Sequence, residues 1–357
     1  MQFDSLKINC AHYNKKQLAT LVKDKLNEKG LVDFECSFYT FIKDWISNSD
    51  TVSIKTSGST GKPKTIKVKK TQMIASAQMT CKYFKINSNS NLLLCLSADY
   101  IAGKMMIVRA FVSGANLVTV HPDGNPLKLF KGKVDFAAMV PLQVENSLST
   151  SGTKRKFLSI KNVIVGGAAI PYALEKRIEK CSNNIYSTFA MTETLSHIAL
   201  RRLSGRGISD KYELLPGIKI RKDKRGCMVV DAPVLNDKPI VTNDIIEMVD
   251  SRHFKWLGRY DNVINSGGIK IYPEKIEEKL APYIKNRFFV AALPDDKLGN
   301  KVVLILENVE DTETIKKKVE QLLGKYECPK IYCSIKKFRE TANGKVQRSE
   351  TLKALFA

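Results

Sequence analysis

Thr56-Ser57-Gly58-Ser59-Thr60-Gly61-Lys62-Pro63-Lys64 decides how this chain is read. It lies between two stretches, 52–55 and 65–69, that read as strands. Its hydroxyls, glycine backbone N–H groups and lysine ammoniums are all hydrogen-bond donors, and a loop built from them suits phosphate oxygens. The spacing is not that of a Walker A loop, because the residue five beyond Gly58 is Pro63 and no Gly-Lys-Ser/Thr follows at that distance. A flexible hairpin tip would explain a generic Ser/Gly loop, but not this ordered string between two strands.

The flanks alternate between two periods. Leu18, Leu21, Val22 and Leu26 recur at helical spacing, as do Phe34, Phe38, Phe41, Ile42 and Trp45. Beyond the loop, strand-like runs at 92–96, 116–120, 134–140 and 160–165 are interleaved with helical patterns at 101–112 and 172–181. That alternation predicts an α/β fold. A smaller α+β unit is predicted after it: Pro273 opens a helix carrying Ile276 and Leu280, strands follow at 288–292 and 302–307, and a last helical stripe holds Ile315, Val319, Leu322 and Leu323. The expected organisation is a large α/β domain over 1–260 and a small mobile domain over 261–357, with no internal repeat.

The 357 residues fit two domains at roughly 100–200 residues each. No apolar run reaches the roughly 18–20 residues that cross a bilayer, and the N-terminus has no signal-peptide centre, so a soluble, cytoplasmic protein is expected. The net charge of +22 would allow nucleic acid or a membrane surface as partner. The lysines are spread in short clusters, however, and no groove-reading motif accompanies them, so no nucleic-acid partner is expected. Eight cysteines contain no C-x2-C pair and four histidines are scattered, which argues against zinc and predicts reduced thiols.

Five further segments follow the loop: Gly166-Gly167-Ala168-Ala169-Ile170-Pro171, Phe189-Ala190-Met191-Thr192-Glu193-Thr194, Thr242-Asn243-Asp244, Gly258-Arg259-Tyr260-Asp261 with Ser266 to Glu274, and Asn343-Gly344-Lys345-Val346-Gln347-Arg348. Together the set resembles the adenylate-forming (AMP-binding) acyl-CoA ligase superfamily over residues ~50–350, each motif in the family's order. The resemblance implies two half-reactions on ATP, a carboxylic acid and coenzyme A, with Mg²⁺. It puts the ATP β- and γ-phosphates on Thr56, Ser57, Gly58, Ser59, Thr60, Gly61, Lys62 and Lys64, the α-phosphate on Thr192 and Mg²⁺ on Glu193. Gly166, Gly167 and Ala168 would line the acyl and adenine pockets, Phe189 would cover adenine, Asp244 would hold the ribose, and Arg259 would support ribose or phosphate. Lys345 would bridge the attacking carboxylate and the α-phosphate. Asp261 matches the hinge, after which Gly267 and Gly268 would shape the thiol channel and Lys270 would face nucleotide or coenzyme A. Taken singly, Lys345 and Asp244 read as turn residues and Glu193 as a carboxylate at a helix N-terminus; the ordered context reverses those readings.

Three departures stand out. Phe189 and Ala190 replace the family's usual Tyr and Gly. Ala98 to Gly103 lacks the usual His, and Tyr100 is the expected substitute gate over the acyl pocket. The region before the phosphate loop is short. A compact chain of this kind looks most like the o-succinylbenzoate–CoA ligase branch of menaquinone biosynthesis, whose aromatic dicarboxylate needs a cation for its unreacted carboxylate. Lys104, Arg109, His197, Arg201 and Arg202 are candidates by position. Another aryl- or acyl-CoA ligase, or an enzyme loading a carrier protein, would use the same motifs, and an inactive nucleotide- or nucleic-acid-binding relative would share the fold.

Overall fold

The computed structural model describes residues 4–55, 65–236, 238–340 and 346–356. The chain divides into two compact units: Met1–Lys219 with Asp231–Ile240, and Ile220–Val230 with Val241–Ala357. The expected hinge residue Asp261 lies inside the second.

The first unit is built on a sheet in which Asn116–Thr119, Asn91–Leu94, Phe136–Met139, Asn162–Val165 and Asn184–Ala190 run parallel as neighbours. His197–Arg202 and Tyr212–Leu214 continue it antiparallel at one side, and Leu6–Ile8 and Ala11–Tyr13 close the other. The parallel strands are nearly all apolar because helices cover them. Leu93, Ala137, Val163, Val165 and Ile185 pack with Phe157, Leu174 and Ile178 in one buried cluster. Thr51–Lys55 and Thr65–Lys69 form the separate hairpin that flanks residues 56–64.

Local chemistry sets the helix ends. Asn14 accepts from the Gln17 N–H while the Gln17 side chain accepts from the Asn14 N–H, a reciprocal box that starts Lys15–Asn27. The helical stripes Leu18 to Leu26 and Phe34 to Trp45, and the helical patterns at 101–112 and 172–181, are seen as Lys15–Asn27, Asp33–Ile46, Ile101–Ser113 and Tyr172–Ile178. Lys70–Phe84 is an added helix that periodicity did not flag: its buried face mixes Met73 and Phe84 with Ser76, Ala77 and Thr80, too small and polar to read as a stripe.

Lys219–Lys222, Cys227–Asp231, Ile240–Met248 and His253–Arg259, which belong mostly to the second unit, lie side by side. Phe288–Asp295, Gly299–Glu307 and Ile331–Ile335 form a three-stranded sheet. Val302, Leu304 and Leu306 point to Ile276, Leu280 and Val319, whereas Val303 and Ile305 point to Phe338. Period-two alternation with both faces buried is why this strand reads as an unbroken apolar run. Pro273 is the first residue of Pro273–Leu280, as predicted.

Candidate active site

Four parallel strands of the first unit end at Leu94, Met139, Val165 and Ala190 along one edge of the sheet. The segments leaving that edge include Ala98 to Gly103, Gly166 to Pro171 and Met191 to Thr194, so topology brings three separated motifs to one side. The carboxyl ends of parallel strands are where open α/β sheets bind ligands. Gly166 follows Val165 directly, and a Cβ there would come within 2.2 Å of Thr188 Oγ1; Gly167 then turns at φ +86°. Both must be glycine for the backbone to stay flush with the neighbouring strand.

Phe189 packs edge-on against Tyr212, ring centroids 5.6 Å apart. Thr192–Thr194 is a single 3₁₀ turn pinned by Thr194, whose hydroxyl bonds to the carbonyls of Met191 (3.0 Å) and Ser196 (2.8 Å). Asn236 Nδ2 donates to the Glu193 backbone carbonyl at 2.8 Å, and the Glu193 side chain is exposed, with no cation paired to it among the described residues. The Thr192 side chain, residues 56–64 and Lys345 lie outside the described residues.

The cation candidates separate by environment. Arg201 is committed to a two-pronged pair with Glu175 (2.7 and 3.0 Å), and Arg202 to Asn184 and the Ser204 carbonyl. His197 is 2% exposed, with Nε2 at 3.4 Å from Thr80 Oγ1 and Nδ1 at 3.2 Å from Ser196 Oγ. Burial, seconded by Arg109, holds its pKa well below 6.5. It is therefore a neutral hydrogen-bonding group, not a cation. Lys104, its pKa lowered by burial, sits over the Phe41 ring at 5.0 Å in the wall of a cavity of about 350 Å³ shared with Asp44 and Asp99. Tyr100 is half-exposed at the start of Ile101–Ser113.

Arg109 differs from all of these. It is 2% exposed, donates from NH2 to Ser196 Oγ at 2.8 Å and rests against Phe136. Its Nε is buried without a hydrogen-bond partner, no carboxylate pairs with it among the described residues, and burial pulls its pKa down to about 10. Ser76 Oγ is likewise buried without a partner among the described residues, one helical turn before Thr80. Thr80 and Ser196 were missed by sequence reasoning, since nothing local distinguishes a hydroxyl that meets a buried histidine or arginine from one that faces water.

In the second unit Asp244 and Arg259 are cross-strand partners, with Arg259 NH1 3.6 Å from Asp244 Oδ2. Trp256 Nε1 donates to Asp244 Oδ1 at 3.0 Å, a contact the sequence did not suggest. Thr242 accepts from the Asp244 N–H and donates to the Met228 carbonyl, fixing the strand beneath the carboxylate. Asp261 accepts from Asn243 Nδ2 (3.1 and 3.2 Å) and from Arg259 NH2 (3.2 Å). Gly267 and Gly268 form the turn between Ile264–Ser266 and Ile269–Ile271 at φ +57° and +81°, with Lys270 exposed on the second strand.

No group of three or more His, Cys, Asp or Glu side chains suited to a metal occurs among the described residues. Mg²⁺ carried on nucleotide phosphates needs only one or two protein carboxylates, and Glu193, exposed and with no cation paired to it among the described residues, is such a group. All eight cysteines are unpaired. No helix among the described residues is long and apolar enough to span a membrane.

A model of the AMP-binding enzyme family matches residues 9–234. The 2-succinylbenzoate–CoA ligase of Escherichia coli is 27% identical over 289 residues, which is 77% of this chain and 62% of that enzyme. The chain thus spans less than two thirds of that relative's length. Among solved structures, an acyl-CoA synthetase (AMP-forming)/AMP-acid ligase II-like protein from Dyadobacter fermentans shares 36% identity over 94% of this chain and 98% of its own, with a TM-score of 0.65. The o-succinylbenzoate coenzyme A synthetase of Bacillus subtilis, solved with ATP and a magnesium ion, shares only 15% identity but covers 98% of this chain and 97% of its own at a TM-score of 0.75, a likeness of fold.

Proposed function

Because the chain belongs to the AMP-binding enzyme family, we propose that it is an AMP-forming acid–CoA ligase whose acid is o-succinylbenzoate, at the coenzyme A step of menaquinone biosynthesis in the cytoplasm. A carboxylate oxygen attacks the α-phosphorus of ATP and pyrophosphate leaves. The thiol sulfur of coenzyme A then attacks the acyl carbon and AMP leaves. Both steps concentrate negative charge, which placed cations and N–H donors stabilise.

The residues take the following roles in this reading. The 56–64 loop and Thr192 bind the phosphates. Glu193 would hold Mg²⁺, which would supply positive charge against the phosphates. Asp244 accepts from the ribose hydroxyls with the lone pairs that Trp256 and Arg259 leave available. Lys345 acts in adenylation. Residues 261–357 then rotate about Asp261, and the Gly267-Gly268 turn with Lys270 takes over for the thiol.

The observation that carries the choice of acid is the buried Arg109, with no carboxylate paired to it among the described residues. A guanidinium with an orphaned N–H in a dry site is costly unless an anion completes it. A second carboxylate on the substrate would do so, with Ser196 and neutral His197 as neighbouring hydrogen-bonding groups. A fatty acid would leave it unpaired.

The test is mass spectrometry of the chain with Mg·ATP, coenzyme A and one acid at a time: o-succinylbenzoate, benzoate, 4-coumarate, acetate or a medium-chain fatty acid. AMP with o-succinylbenzoyl-CoA as the dominant product is expected. Another acid winning would keep the ligase and discard the pathway step, and no AMP with any acid would discard both.

A further inference from the structure

Arg201, one of the cations expected near the acyl pocket, keeps different company in the structure. Its neighbours lie on three adjacent strands of the first unit. In register, Arg201 stands opposite Ser187 of Asn184–Ala190, and Leu200 stands opposite Glu213 of Tyr212–Leu214. Ser187 and Phe189, two positions apart, share one face of their strand. The Tyr212 hydroxyl lies 3.2 Å from Ser187 Oγ, its ring meets Phe189 edge-on, and the Arg201 guanidinium carbon sits 5.8 Å from the ring's centre. Arg201 is anchored in turn by its two bonds to Glu175, and both side chains of that pair are mostly buried. Glu175 stands on Tyr172–Ile178, and its backbone N–H donates to the Pro171 carbonyl at 2.9 Å, at the end of the segment Gly166 to Pro171.

Phe189 carries no polar side-chain atom, so only packing can orient its ring. An edge-on aromatic neighbour does this well, because the quadrupoles of two rings favour a steeply inclined setting, and here the ring planes meet at 66°. Tyr212 is itself held at two points, by Ser187 at its hydroxyl and by the cation at its ring. The fork of Arg201 on Glu175 adds little net stability, since desolvation offsets the attraction. What it supplies is a fixed geometry.

We propose that Tyr212 is a positioning residue for nucleotide binding: held by Ser187 and by the Arg201–Glu175 pair, it sets the plane of Phe189, the ring that covers the adenine of ATP. The proposal rests on the ligase reading above, and it takes Arg201 out of the recognition of the acid.

Mg·ATP binding to the full chain is measured by calorimetry, and ATP–pyrophosphate exchange is followed with the acid that the wild-type chain turns over. Stacking of a base on an aromatic ring is worth about 5- to 150-fold in affinity. Tyr212→Leu keeps apolar bulk and loses the ring, so Kd and KM for ATP are expected to rise about 5- to 20-fold, inside that range. Exchange kcat at saturating ATP should stay within about 2-fold, because only uniform binding is lost. Tyr212→Phe keeps the ring edge and should recover affinity to within about 3-fold of wild type. Should Tyr212→Leu not fold, Glu175→Gln carries the same comparison: it loosens Arg201 and should raise KM for ATP while leaving KM for the acid within about 2-fold. An unchanged Kd for ATP, or a fall in kcat as large as the rise in KM, overturns the proposal and leaves the ligase reading standing. A wild-type chain that neither binds Mg·ATP nor exchanges pyrophosphate with any acid removes the ligase reading, and the proposal with it.

Discussion

Arg109 is the residue whose surroundings say most about the substrate. A hydrogen bond between charged groups is worth about 1.5–3 kcal/mol, so Arg109→Leu should raise KM for o-succinylbenzoate about 10- to 100-fold by that estimate. Stability should hold or rise, because an unpaired buried charge is removed. Steady-state kinetics and a melting curve check both halves; a large loss of Tm would mean that Arg109 is structural. Lys345 makes the complementary case. If it serves adenylation alone, Lys345→Ala should abolish pyrophosphate exchange yet still convert supplied acyl-adenylate to thioester, and equal loss in both assays would remove the two-state assignment.

At the scale of elements, Gly258 shows what a motif glycine does. It is the last residue but one of the strand His253–Arg259, at φ +140°, and a Cβ there would lie 2.3 Å from Glu274 Oε2. Gly258→Ala should therefore strain the backbone and displace the Glu274 carboxylate, at about 1–3 kcal/mol for the dihedral alone. Urea denaturation followed at Trp256, on the same strand, would read the loss. Glycines of this kind, like the 56–64 string, are legible in sequence because their chemistry is local: a turn, a close approach, a cluster of donors. The strands Asn91–Leu94, Phe136–Met139 and Asn162–Val165 are legible for a similar reason, being apolar on both faces. What could not be read depends on partners distant in the chain. Ser196 matters only because Arg109 donates to it. Trp256 matters because the strand register sets it near Asp244, and Glu277 because a helix 71 positions further on supplies Arg348. His197 and Arg201 were plausible cations until burial and Glu175, respectively, were seen around them.

The whole molecule carries one tryptophan in each unit, Trp45 in the first and Trp256 in the second. Trp256→Phe leaves Trp45 to report on the first unit, and Trp45→Phe leaves Trp256 to report on the second. Their pH dependences should run in opposite directions. His197 is held neutral, its folded pKa well below 6.5, so the unfolded chain binds the extra proton. The stability it protects is complete above about 6.5 and is lost as pH falls below that value. Glu277 is the reverse case, raised from 4.5 to about 7. Here the folded state binds the extra proton, so its contribution is complete below about 4.5 and is lost as pH rises through about 7. The depressed carboxyls of Asp223, Asp250, Asp295 and Asp311 start from 3.8 and act only in stronger acid. Between pH 5 and 8, chemical denaturation should therefore show the Trp45 midpoint rising with pH and the Trp256 midpoint falling, and Glu277→Gln should flatten the second curve only. Midpoints that shift together would mean that the two units unfold as one and that neither group sets its own unit's response.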